Sequence, residues 1–529
     1  MSRSFIILLL LIALPLQSEE VEIQMSTDDS NFLANYDDEK ELFIFRGIPF
    51  AEPPVGELRW QSPIPAKQSQ VVDARTFKPA CMQDTYTTEW YHDVIESFDQ
   101  DKSMFQHVES VSEDCLYLNI WTQSIDSSEK KPVMVWIYGG NDVGGWTYEP
   151  NYLGHNLAQK DVVVVSIPYR LNIFGFFNHP EMDNQTGNFG LEDEILALQW
   201  VKDNIDQFGG DPDNITLFGE SAGGAHVSYH IASPLSEGLF DRGIIQSGGY
   251  NLSNPSRLNS LDDANKLALE TQNKAGALNF NELKQLSSTE LLEISNNLYH
   301  PYHPIVDGEL IPDDITKIFN EGALNDVDVM IGSNQNEDLL YVDENPTLED
   351  LSKLIQWYHP NKVDEILGIL DLSDLRMAMD RFGTNQNTAC PSILIARSMA
   401  KTGNHVYQYL FAREREGSEK ILAYLGAEIP YVFNTHDAFL PTTEEDLILT
   451  EQMMEYWTEF AKKGTPNSVD NPMTWYEFGE EENYLILDTE VRNDQKLERQ
   501  FCDIIIVERC NGCIDCNICY GCHHSNGKP

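Results

Sequence analysis

The run Asn214-Ile215-Thr216-Leu217-Phe218-Gly219-Glu220-Ser221-Ala222-Gly223-Gly224 decides how the rest of this chain is read. A β-prone stretch ends at Phe218, and a G-x-S-x-G pattern follows as Gly219-Glu220-Ser221-Ala222-Gly223. The pattern predicts a nucleophile elbow, in which a strand turns sharply into a helix and presents Ser221 at the tip. Glycine is needed on both sides, because a side chain there would collide with the neighbouring strand and helix. The turn also aims the Ser221 hydroxyl at a helix N-terminus, where developing negative charge is favoured.

Working outward, the segments around the elbow alternate between buried strands and helices. Pro132 to Tyr138 is a continuous apolar run of the kind found in buried parallel strands, and it ends in Gly139-Gly140-Asn141. Val162 to Ile167, Gly243 to Gly249 and Val327 to Gly332 read the same way, and Val406 to Phe411 as a late strand. Leu191 to Phe208 has helical periodicity through Leu196, Leu198, Val201 and Ile205. Polar helices are expected over Leu258–Leu298, and further helices over Leu348–Met399. Val21 to Trp60 reads as edge strands and a loop, and Leu116 to Trp121 alternates like a strand. This β–α–β order predicts an α/β fold with a large, mostly parallel central sheet flanked by helices.

The chain has 529 residues, with 35 Lys+Arg against 85 Asp+Glu, for a net charge of −50. Such a surface repels nucleic acid and anionic membranes and keeps the chain soluble. Residues 1–18 read as a secretory signal: Arg3 is the positive start, Phe5 to Leu14 the apolar stretch, and Ser18 a small residue for cleavage. The apolar run is too short to span a bilayer comfortably, and no later run approaches spanning length. A secreted, extracellular chain without a membrane span is expected. Sequons for glycosylation stand at Asn184, Asn214 and Asn251, with Asn214 close to a strand that should be buried. The body is expected to cover residues 19–507, with a cysteine-rich tail over 508–529. No cofactor is implied.

The elbow in this context resembles the type-B carboxylesterase and cholinesterase family of the α/β-hydrolase fold. Other segments carry the resemblance from about Phe45 to Cys502. They include Phe45-Arg46-Gly47-Ile48-Pro49, Ser112-Glu113-Asp114-Cys115-Leu116, Val135-Trp136-Ile137-Tyr138-Gly139-Gly140, Asn188-Phe189-Gly190-Leu191, Phe208-Gly209-Gly210-Asp211-Pro212 and Val306-Asp307-Gly308. The resemblance implies acyl transfer by a Ser–Glu–His triad, in which a base takes the serine proton and an acid holds the base. By that match Ser221 is the nucleophile and Glu337 the acidic member. Gly140, Asn141 and Ala222 match the backbone N–H donors of the oxyanion hole. Cys81 with Cys115, and Cys390 with Cys502, match the family's disulfides.

The sequence departs from the family pattern in several places. The family's histidine should precede Gly426-Ala427-Glu428-Ile429-Pro430-Tyr431-Val432-Phe433, but that residue is Leu425, which cannot carry a proton. His226 and His436 are the substitutes to weigh. His226 lies five residues beyond Ser221, about 140° around a helix and facing away. Asn141 replaces the third glycine of the oxyanion loop, and Asp142 is expected to bring negative charge near it. The tryptophan that binds choline in cholinesterases matches Phe105, which puts choline recognition in doubt. In the tail Cys510, Cys513, Cys516, Cys519 and Cys522 recur every third residue, with His523 and His524 beside them. A secreted chain favours disulfides over zinc there, and an odd number leaves a thiol for a covalent link to another chain.

Taken together, these features lead us to expect a secreted carboxylesterase-like protein that is catalytically impaired and has a ligand-binding or adhesion role. Family members that lack triad residues, such as the neuroligins, set the analogy. The alternative is an active carboxylic-ester hydrolase with a non-standard base. Expected partners are a small ester or hydrophobic ligand, and a protein partner or a second copy linked through the tail.

Overall fold

The computed structural model describes residues 20–26, 31–67, 71–182, 186–249, 258–298 and 302–511. The expected signal at 1–18, the sequons at Asn184 and Asn251, and the tail from Cys513 onward lie outside the described residues.

A 13-stranded sheet runs through the body. Its strands are β1 (Glu20–Ser26), β2 (Asn31–Asp37), β3 (Leu42–Pro49), β4 (Val71–Asp73), β5 (Tyr117–Thr122), β6 (Lys131–Ile137), β7 (Val163–Ile167), β8 (Gly210–Glu220), β9 (Arg242–Gln246), β10 (Asp328–Asn334), β11 (Val406–Phe411), β12 (Asn483–Leu487) and β13 (Arg492–Gln495). The order is β1-β2-β3-β5-β7-β6-β8-β9-β10-β11-β12-β13, with β4 beside β2. Pairing is parallel from β7 through β6 and β8 to β12 and antiparallel at both margins, except that β4 lies parallel to β2. The apolar runs explain this split. Val133 to Ile137 and Val163 to Ile167 are buried on both faces, as parallel strands covered by helices must be. In β2 buried and half-buried residues alternate, as on a one-sided antiparallel margin.

The helices that matter for the site are α1 (Tyr86–Ser97), α2 (Phe189–Asn204), α3 (Ala222–Ala232), α4 (Leu348–Tyr358), α5 (Cys390–Thr402), α6 (Glu444–Lys463) and α7 (Arg499–Asn511). Crossover helices between parallel strands put α3 against β8 and β9. A π-helical turn, Asn385–Ala389, leads directly into α5. The Cys81–Cys115 disulfide closes the loop that carries α1, and Cys390–Cys502 ties α7 to the start of α5. Both pairs agree with those implied by the resemblance.

Four adjacent parallel strands deliver the site. β6 ends at Ile137 before Gly139, β8 at Glu220 before Ser221, β9 at Gln246 before Ser247, and β10 at Asn334 before Glu337. Ligand sites of open α/β sheets form at these carboxyl ends of the strands. No helix of the described residues is long and apolar enough to cross a membrane.

Candidate active site

Ser221 stands between β8 and α3 with φ 54° and ψ −119°. That is a strained conformation for a residue with a side chain, of the kind a nucleophile elbow stores. The flanking glycines are sterically required. A Cβ on Gly223 would lie 2.1 Å from the Ile137 carbonyl oxygen, and one on Gly219 2.6 Å from the Gly223 carbonyl carbon. Any larger residue would push β6 and α3 apart. The Ser221 N–H donates to the Gln246 carbonyl at 2.9 Å, which holds the elbow against β9.

Glu337 follows β10 and is buried. Its Oε1 accepts from the Ser247 hydroxyl at 2.6 Å and from the Asn334 N–H at 2.7 Å. Its Oε2 is buried and has no hydrogen-bond partner. Burial raises its pKa well above the carboxylate range, and Glu428 raises it further by repulsion. Glu220 is raised by burial and by the charges of Glu428, Glu337 and Glu149. Glu428, held by Asn334 Nδ2 at 2.6 Å and Gln246 Nε2 at 3.0 Å, is raised by burial as well. Three carboxyl groups thus crowd the carboxyl ends of the strands.

Ser221, Glu337 and Leu425 all line one cavity of about 430 Å3, together with Glu220, Ser247 and Gly139 to Asn141. Among the described residues, no Lys, Arg or His lines it. The two substitute histidines are engaged elsewhere. His436 accepts from Arg415 Nη2 at Nδ1, 2.8 Å away, and meets Thr450 Oγ1 at 2.8 Å through Nε2. Burial and the Arg415 charge lower its pKa to about 4. His226, on α3, is buried with Nδ1 2.7 Å from Glu194 Oε1 and Nε2 3.0 Å from Asp142 Oδ1. With a carboxylate at each ring nitrogen the ring donates twice and is an imidazolium. Burial alone would lower its pKa, but Glu194 and Asp142 hold it up at about 10.

The oxyanion-loop reading needs one correction. Asp142 was expected to bring negative charge to the cradle, but its carboxylate is absent from the cavity lining. It is buried beneath the loop, with Oδ1 on His226 and Oδ2 2.8 Å from His303 Nδ1. Burial opposes its ionisation, yet the two histidines hold it below the usual carboxylate range. Gly140 and Asn141 line the cavity. Gly140 has φ 109°, and a Cβ there would meet the Gly144 carbonyl oxygen at 2.2 Å. Asn141 and Asp142 both adopt left-handed φ, 59° and 63°, a region that Asn and Asp enter more readily than most residues. Ala222 is the first residue of α3, so its N–H has no intrahelical acceptor.

A second correction concerns the aromatic wall. Phe105 does not reach the cavity. It is buried behind the wall, stacked on Tyr91 with ring centroids 3.8 Å apart. The indole that does line the cavity is Trp90, beside Tyr86, Thr87 and Tyr91 of α1. Spacings of one, four and five residues place these on one face of a helix. The only sequence signal was the aromatic-rich stretch between Cys81 and Cys115, which reads as a loop until the helix is recognised. Tyr341, Tyr358, Tyr152 and Glu149 complete features that sequence reasoning did not single out. Glu149 accepts from Tyr91 Oη at 2.8 Å and from the Trp146 N–H at 3.0 Å, and burial raises its pKa to about 7. The π-helical turn brings Asn387 and Thr388 to the same wall. Asn214 lies in β8, where its Oδ1 accepts from Arg242 Nη1 and its Nδ2 donates to the Lys462 carbonyl at 3.5 Å.

Comparison with known proteins agrees with this architecture. The Carboxylesterase family model matches residues 32–505. The chain is 33% identical over 503 residues to carboxylesterase 1E of Mus musculus, covering 86% of this chain and 88% of that protein. It is 32% identical over 545 residues to acetylcholinesterase of Electrophorus electricus, covering 88% and 84%. The crystal structure of a carboxylesterase from Geobacillus stearothermophilus superposes with a TM-score of 0.77 at 29% identity, covering 90% of this chain and 99% of that one. A strand–elbow–helix at Ser221, an acid after β10 and matches along nearly the whole body have one common explanation: the chain belongs to the carboxylesterase family, with the α/β-hydrolase fold.

Proposed function

We propose that this chain is a carboxylesterase-like protein with impaired catalysis, in which the cavity is kept for binding a small ester or hydrophobic ligand. One observation carries the reading: Leu425, which accepts no proton, lines the cavity with Ser221 and Glu337, and among the described residues no histidine does. Ser221 is the nucleophile position and Glu337 the acidic position. Gly140, Asn141 and Ala222 are the oxyanion donors, and Leu425 stands where the family carries its base. Without a base the Ser221 hydroxyl is not activated. In a comparable triad, loss of the histidine alone lowered turnover by roughly 10^6-fold. The engagement of His226 and His436 with other partners supports this reading over an active hydrolase with a non-standard base.

The sequence features at 1–18 and the sequons support secretion and glycosylation, and Asn214 is held within β8 by Arg242 and the Lys462 carbonyl. The cysteine tail supports covalent self-association or a protein partner in adhesion. If reduction does not convert a larger species to monomer on a gel, covalent assembly is wrong.

The deciding experiment is hydrolysis of p-nitrophenyl acetate by the purified protein beside Ser221→Ala and Leu425→His. The parent should match Ser221→Ala, and Leu425→His should gain activity. Turnover by the parent that Ser221→Ala abolishes would make the chain an active esterase and overturn the proposal.

A further inference from the structure

The geometry points to Asp142, His226 and His303 as a clamp that positions the Gly140–Asn141 cradle relative to Ser221. This rests on the reading of Gly140 and Asn141 as the oxyanion donors.

The loop after β6 has little regular structure to hold it. Its own bonds are the short turns from Val143 and Gly144 N–H to the Gly140 carbonyl, at 3.1 and 3.0 Å. Two consecutive non-glycine residues in left-handed φ, Asn141 and Asp142, persist only where the surroundings over-determine them. Asp142 supplies that constraint. Its carbonyl accepts from the Asn172 N–H at 2.7 Å, and its carboxylate spans His226 at 3.0 Å and His303 at 2.8 Å.

His226 is the link to the nucleophile. It sits on α3 five residues after Ser221, so a rigid helix connects the elbow to the ring that grips the loop. The ring is fixed from behind by Glu194 of α2, which also meets His230 Nε2 at 2.8 Å, and His230 Nδ1 is 2.8 Å from Ser236 Oγ. All five ionisable members of this chain of contacts are buried. The clamp therefore registers the cradle against α3 rather than against solvent. Asp142, His226 and His303 are positioning residues, since none of them lines the cavity.

The test is hydrogen–deuterium exchange of the full-length protein, read on peptides covering residues 138–146, for the parent, Asp142→Ala, Asp142→Asn and His405→Gln. Exchange needs no turnover, so the result stands whether or not the parent hydrolyses esters, and failure of the impaired-catalysis reading would show separately in the ester assay. Asp142→Ala should speed exchange in 138–146 at least tenfold and leave β7 unchanged. Asp142→Asn keeps a polar side chain between the two rings, so it should stay within about threefold of the parent. His405→Gln, which alters an exposed ion pair with Glu477, should change nothing. The inference is overturned if 138–146 exchanges at the parent rate in folded Asp142→Ala. It is also overturned if exchange rises equally across the sheet, or if both Asp142 variants fail to fold.

Discussion

On the cavity side of Ser221, the carboxyl groups of Glu220, Glu337 and Glu428 are buried, and among the described residues no basic side chain lines the space before them. Beneath the neighbouring loop, Asp142 and Glu194 are just as buried, but each meets two histidines. Burial disfavours the charged carboxylate in both places. In the first, burial raises all three, and repulsion from neighbouring carboxylates raises Glu220 and Glu337 further. In the second, the histidines reverse it and both carboxylates are held low. The contrast shows that this fold readily builds carboxylate–histidine pairs. On the proposed reading, the position beside Ser221 and Glu337 is where such a pair is absent.

The largest effect should come from supplying the absent base. Leu425→His should raise hydrolysis of p-nitrophenyl acetate by roughly 10^2- to 10^4-fold, the usual range for a positioned general base. The gain should vanish in the Leu425→His, Ser221→Ala double variant. No gain would mean that the cavity side lacks more than a histidine.

Breaking the paired side should cost stability. Asp142→Ala leaves the His226 imidazolium facing Glu194 alone, and loss of one partner of a buried pair costs about 3–5 kcal/mol. Urea unfolding followed by tryptophan fluorescence would measure it. A cost under about 1 kcal/mol would show that the paired side is not held by charge.

The two sides should also respond to pH in different windows. His226 has a folded pKa of about 10 against an ordinary 6.5, so its stabilisation is complete below pH 6.5 and is lost as pH rises towards 10. Between pH 7 and 9 the unfolding free energy should fall by about 2 kcal/mol, and His226→Gln should flatten that slope. Glu149, on the cavity wall, has a pKa raised to about 7 by burial. The folded protein keeps its proton where the unfolded chain loses it, so this group lowers stability as pH rises from 4.5 to 7. Glu149→Gln should remove that earlier decline.

The smallest effect separates wall from backing. Phe105→Leu trims a ring stacked behind Tyr91, and as a conservative core change it should cost under about 1.5 kcal/mol. Affinity for a hydrophobic ligand should stay within about twofold. Trp90→Ala, at the cavity surface, should weaken the same ligand more than Phe105→Leu does.

Much of this was written in short-range patterns. The apolar runs at β6, β7, β10 and β11 and the glycines of the elbow act within a few residues, so they can be read from the chain. The place of Glu337 after a core strand was legible from the family resemblance, and the structure puts it in the cavity lining. Phe105 was placed at the cavity and Trp90 was passed over, although both lie between Cys81 and Cys115. Counting residues there cannot show that 86–97 coil into a helix and carry Trp90 forward while Phe105 falls behind. Asp142 was misread because its neighbours His226 and His303 are 84 and 161 residues away.

By itself, then, the sequence determined the strand-and-helix order, the strained turn at Ser221 and the residue preceding Gly426. All of these rest on backbone sterics and local hydrophobic pattern. Only the tertiary structure decided which carboxyl groups carry charge, which aromatic faces the cavity and what holds the Gly140–Asn141 loop. Those outcomes depend on burial and on partners brought together through space, and a linear pattern encodes neither.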